Sequence, residues 1–253
     1  MTSKINIDEY IINDIEKLEN LRNELGIKTW EQFAVLVDCS PSNIFDHVYY
    51  KKEKVDGKVV KPKDGELPIY EKLLQVWHLK LFTLINYLLK TGQNDELEAA
   101  LTPIALPKKM PDTVALSSED LFENRIGTPV NNGSKLAKLT KEISEYMDLE
   151  DPTLRRGPTK RGQIKPSKEE QLPLTAFMSS LAGIAMRTYI SYLKAPDPET
   201  IEDPKKRRNM RSIVVKLYSI ASYLLEENRK DLLELIVSID ESYMTDYGVK
   251  RIR

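Results

Sequence analysis

The chain has 253 residues, 41% of them hydrophobic and 30% charged, enough apolar material for a core in one large domain or two small ones. Lys plus Arg number 38 and Asp plus Glu 39, for a formal net charge of -1, which excludes a uniformly basic nucleic-acid coat and makes any basic surface local. One cysteine excludes a disulfide framework and a cysteine-based zinc site, two histidines (His47 and His78) leave little room for a His-rich centre, and ten glycines form no Gly-rich phosphate loop.

No signal peptide is expected, because the first 25 residues mix charged and apolar groups throughout. The two most apolar windows are Leu79 to Leu89, broken by Lys80 and Asn86, and Thr175 to Ile190, broken by Arg187. Both fall short of the roughly 18 to 20 clean residues of a membrane span. The expectation is a soluble, cytoplasmic protein with no bound metal and no cofactor.

In chain order, Ile11, Ile15, Leu18, Leu21 and Leu25 recur at helical spacing, which predicts a first helix with Asp8 and Glu9 in its first turn and Gly26 as its stop. Thr29 reads as an N-cap, and Gln32 three residues on completes a capping box. Phe33, Ala34 and Val37 form the next apolar stripe. Asp38-Cys39-Ser40 breaks it, and Ser40 with Pro41 restarts a helix carrying Ile44, Phe45 and Val48. Asp56-Gly57 between valine-containing flanks signals a short hairpin, with a basic loop as the alternative. Residues 67–90 predict a long apolar helix or helix pair through Leu73, Leu74, Trp77, Leu81, Leu84, Ile85, Leu88 and Leu89.

Residues 91–133 are rich in Pro and Asn, with a short helix expected near Ser118 to Asn124, and Ser134 to Tyr146 reads as helix. The stretch from Thr153 to Lys168 holds six basic residues and no acid, the pattern of a solvated linker or a phosphate-holding arm. Leu174 to Leu193 predicts one long apolar helix with small residues at Ser179, Ser180, Ala182, Gly183 and Ala185, suited to close helix contact. Asp203-Pro204 predicts the start of a further helix that turns Ile213, Val214, Leu217, Ile220, Leu224 and Leu225 inward, and Asp231 to Ile239 a last one.

The most informative stretch is Thr29 to Lys52. It is a helix, a tight break and a second short helix with a polar entrance. Ala34 lies five residues after Thr29, where two crossing helices leave space only for a small side chain, and Ile44 lies ten residues after Ala34 as an apolar anchor. This geometry sets a second helix across the major groove. The segment resembles the helix-turn-helix of the phage repressor and Cro (Xre-like) family over residues 15–90. Leu21-Arg22 and Gly26-Ile27 match its leader helix and stop, Thr29 the cap, Phe33-Ala34 the Leu-Ala pair, Val37 the apolar position, Ser40 the start of the recognition helix and Ile44 its anchor. The chain departs from the pattern at Asp38, which stands where the family usually has a left-handed glycine, at Lys28, a one-residue insertion, and at His47, Pro41 and Asp46. Residues 53–66 are also longer than the usual connection.

The resemblance implies a protein that binds double-stranded DNA as a homodimer and regulates transcription. It assigns base contact to Ser42, Asn43 and Asp46, with Ser40 and Pro41 at the entrance. Asn can pair with adenine, and Asp can accept from cytosine N4. Thr29, Trp30, Tyr49, Tyr50, Lys51 and Lys52 would neighbour phosphates. Between Cys39 and Lys63 there are six lysines and three acids, so Lys54, Lys58, Lys61 and Lys63 form a candidate basic wing. Two further basic clusters are candidate contacts for an anionic partner. One comprises Arg155, Arg156, Lys160 and Arg161; the other comprises Lys205, Lys206, Arg207 and Arg208, with Arg211 nearby.

No Walker loop, His-Glu-x-x-His, Gly-x-Ser-x-Gly or dinucleotide fingerprint is present, and no enzymatic activity is expected. His47, His78 and Cys39 read as structural residues. The expected architecture is all-α with a small hairpin. Residues 1–95 would form the helix-turn-helix domain, 96–170 a Pro-rich and basic connection, and 171–253 a helical domain for dimerisation or partner binding. The alternative function is a helical adaptor, or a DNA-binding component of replication, partition or mobile-element machinery.

Overall fold

The structure, a computed structural model, describes residues 6–39, 53–55, 58–60, 75–104, 129–149, 173–195 and 210–244. The described residues are helical apart from one hairpin. The α-helices are α1 (Ile15–Glu24), α2 (Trp30–Leu36), α3 (Val76–Thr91), α4 (Asn94–Leu101), α5 (Gly133–Met147), α6 (Pro173–Leu181), α7 (Met186–Leu193), α8 (Ser212–Glu226) and α9 (Lys230–Ser238). Strands β1 (Glu53–Val55) and β2 (Lys58–Val60) pair antiparallel, with Glu53 opposite Val60 and Val55 opposite Lys58. No described helix is long and apolar enough to cross a membrane.

The first helix begins later than its apolar periodicity predicts. Asp8–Tyr10 forms a separate 3-10 turn, and Asp14 caps α1 by accepting the Lys17 amide at 2.8 Å. Residues 10–12 run along α3 instead. Ile12 donates its amide to Thr83 Oγ1 at 3.1 Å, and Asn86 donates to the Tyr10 carbonyl at 2.9 Å. Thr83 and Asn86, polar residues within the apolar window of α3, therefore dock an extended segment, whose buried polar backbone groups need partners. Gly26 stops α1 in the left-handed conformation at φ 71°, with the Ile27 amide donating to the Arg22 carbonyl and Gly26 to Asn23. That paired pattern satisfies carbonyls the helix end would leave open.

The expected single helix over residues 174–193 is two helices. The chain breaks at Gly183, with φ 60°. A Cβ there would meet the Trp77 amide nitrogen at 2.9 Å and the Val76 carbonyl carbon at 3.0 Å. The run of small residues thus admits the N-terminal end of α3 at the break. A second difference is α4, an eight-residue helix inside the stretch expected to be irregular. The expected helix starts at Ser40 and Asp203, the short helix near Ser118, residues 67–74 and the basic runs at 155–168 and 205–208 lie outside the described residues.

Helix α8 is the centre of the assembly and packs against α3, α4, α5, α6 and α9. Every residue from Ile213 to Ala221 on it is buried. The hydrophobic core runs from Ile7 through Leu18, Phe33, Leu84, Leu139 and Tyr218 to Ile239, so residues of the N-terminal segment and of the C-terminal helices share one core. Buried hydroxyls are used up within it. Tyr218 donates to the Met178 carbonyl at 2.9 Å, and Ser219 donates to Val215 while accepting the Val130 amide.

Candidate functional site

The site is best built from the turn that follows α2. Thr29 and Gln32 form the predicted capping box: the Thr29 hydroxyl accepts the Gln32 amide at 3.2 Å, and the Gln32 side chain accepts the Thr29 amide at 3.3 Å. Two amides that a helix start leaves open are satisfied together. Thr29 itself is exposed. Trp30 follows as the first residue of α2. It is buried, with Phe33 edge-on at 5.9 Å and the Arg22 guanidinium 4.8 Å over its face. Indole carries a large apolar area, and burial against Phe33 removes most of it from water. Arg22 is held in place by donating to the carbonyls of Ile27 and Lys28.

Phe33, Ala34 and Val37 have no exposed surface, as their spacing predicts. The helix then ends on Asp38, whose φ is 53°. Asp38 donates its amide to Val35 and Cys39 to Ala34, the same closing pattern as at Gly26. A left-handed residue with a Cβ costs roughly 1–2 kcal/mol, so something must hold Asp38 there. That something is Lys216 of α8. Its ammonium donates to Asp38 Oδ2 at 3.0 Å, to the Leu36 carbonyl at 2.8 Å and to the Thr102 carbonyl at 2.9 Å. The Asp38 carboxylate also accepts the Ile104 amide at 2.9 Å. The lysine side chain is 0% exposed and the aspartate 2%. Burial pushes the Lys216 ammonium below the usual lysine range, and Asp38 acts against that shift. Burial likewise pushes the neighbouring Cys39 thiol up to about 12, with Lys216 opposing. Such a thiol is a poor nucleophile.

Lys216 carries no motif and is absent from the residues singled out above. The signal available was a lone lysine inside the apolar run Ile213 to Ile220. Lys80 repeats the device on α3. Its ammonium donates to the carbonyls of Ile236 (2.6 Å) and Ile239, at the C-terminal end of α9.

Of the other expected site residues, Ser40, Pro41, Ser42, Asn43, Asp46, Tyr50, Lys51 and Lys52 lie outside the described residues, as do Arg155, Arg156, Lys160, Arg161, Lys205, Lys206, Arg207 and Arg208. Lys54 lies opposite Val59 and Lys58 opposite Val55 in the hairpin ladder. His78 is buried and stacked on Phe82 at 5.7 Å. Among the described residues no group of three or more His, Cys, Asp or Glu is placed to hold a metal ion. Met186 and Ile190, one turn apart on α7, are exposed at 44% and 36%. Comparison with family models, curated proteins and solved structures finds no match.

Proposed function

We propose that the chain is a DNA-binding regulator that lays residues 40–51 in the major groove, with Ser42, Asn43 and Asp46 at the base edges. The observation that carries this reading is the closed turn at Asp38. It ends a capped helix with a buried Ala34 in a left-handed turn at Asp38, the feature that a helix-turn-helix needs at this point. The leader helix, its Gly26 stop and the Thr29 cap supply the preceding parts in the right order. On this reading Thr29, Tyr50, Lys51 and Lys52 neighbour the phosphates, and the hairpin carries Lys54 and Lys58 as a basic wing. The protein acts as a homodimer, because one such module touches too few base pairs for high specificity and two half-sites supply the rest.

A second reading is a helical adaptor whose basic segments meet acidic partners. The observation that favours it is the exposed apolar pair Met186 and Ile190. Selection from random duplex DNA, read by sequencing, separates the two. The DNA-binding reading expects a sharp, pseudo-palindromic motif that disappears when Ser42, Asn43 and Asp46 are all changed to Ala. No enrichment by a folded wild-type chain would favour the adaptor.

A further inference from the structure

A cavity of about 230 Å³ lies where the start of α3, the break between α6 and α7 and the start of α8 meet the 3-10 turn Glu241–Tyr243. Its lining is apolar in one part and charged in another. Val76 and Ile184 supply aliphatic surface, Trp77 and Tyr192 supply rings, and Arg211 and Glu241 supply opposite charges. Arg211 is the N-cap residue of α8, yet its side chain makes no capping bond. Its guanidinium lies 4.7 Å over the Trp77 ring centroid instead. Stacking holds the planar group by its face and leaves its N–H edge for a carboxylate, which that edge matches with two parallel bonds. Among the described residues no carboxylate pairs with Arg211 and no cation pairs with Glu241. Both residues are exposed, so a solute can reach them.

Two opposite charges on one cavity that do not bond each other suit a solute that carries both charges itself. The cavity is smaller than the roughly 300–1,000 Å³ of pockets for drug-sized ligands, too small for a nucleotide. Glu241 repels an anion that brings no positive charge, such as inorganic phosphate. Val76 and Ile184 reward an apolar group. We propose that this cavity binds a free α-amino acid with a small apolar side chain, its carboxylate on Arg211, its ammonium on Glu241 and its side chain against Val76 and Ile184. Binding is measured without DNA and stands apart from duplex recognition.

The test is calorimetric titration of the full chain with alanine, valine, leucine and inorganic phosphate. The amino acid that binds best is then compared with its forms lacking the amine or the carboxylate (for valine, 3-methylbutanoate and isobutylamine). Wild type is expected to bind at least one of the three saturably, and each truncated form about tenfold or more weakly, since each lacks one charged bond. Arg211→Met is expected to weaken the amino acid and its amine-free form alike by about tenfold. Glu241→Gln is expected to weaken the amino acid and to leave the amine-free form unchanged or tighter. Melting checks that each variant is folded, and the truncated forms make the same distinction on wild type should one fail. No saturable binding of any of the three amino acids overturns the proposal. Binding that neither substitution weakens overturns it too, as do truncated forms that bind as well as the amino acid. Phosphate binding as tight as the amino acid's would mark a simple anion site and overturn it as well.

Discussion

Lys80 and Lys216 each place an ammonium among carbonyls at the end of another helix, where the helix dipole favours positive charge. Burial still pushes Lys80 down to about 7, with Asp240 pulling the other way. The sign of the stability effect follows. Between about 7 and the ordinary 10.5 the unfolded chain holds a proton on Lys80 that the folded chain has given up. Folding is therefore favoured as pH rises through that window, and this contribution is lost as pH falls through about 7. Urea midpoints at pH 7 and pH 9 should show wild type gaining more on the alkaline side than Lys80→Met. Groups common to both chains cancel in that difference. Equal gains would contradict the assignment.

At the scale of elements, the break between α6 and α7 depends on Gly183. A Cβ there meets the backbone of Trp77 and Val76, and the φ of 60° is unfavourable for any side chain. Gly183→Ala is expected to cost at least about 1–2 kcal/mol from the backbone conformation alone. That corresponds to a fall of roughly 2–8 °C in the melting midpoint for a chain of this size. An unchanged midpoint would mean that the break lies elsewhere.

The same break explains part of what the sequence left unread. Ser179, Ser180, Ala182 and Ala185 fit a helical period as well as a packing seam, so nothing local separates one helix from two. Helix α4 was hidden for a different reason. Its first turn, Asn94-Asp95-Glu96, follows Gly92 and reads as loop, and of its buried residues Leu97, Ala99 and Ala100 only Leu97 is large. Where a side chain bonds its own neighbours, the sequence was legible: the Thr29–Gln32 box, the Gly26 stop and the helix at 230–238 all stand where local chemistry places them. The Asp38 turn was legible as a conformation. Its partner was not, because Lys216 is distant in sequence and only the folded chain brings the two together.

For the whole molecule, these observations describe one hydrophobic core to which the capped helix α2 and its closing turn belong. The Lys216 bonds tie α8 to the closing turn of α2 at Leu36 and Asp38. The net charge of -1 also bears on binding at this scale. On the proposed reading, attraction to phosphate comes from local lysines and not from the molecule as a whole, and specificity from residues 40–51. The most direct measurement is a competition titration of the wild-type chain at physiological salt, with the selected duplex against an excess of scrambled duplex. A preference on the order of a thousandfold or more is expected, the range of specific over non-specific binding for DNA regulators. Equal affinity for the two duplexes would contradict it.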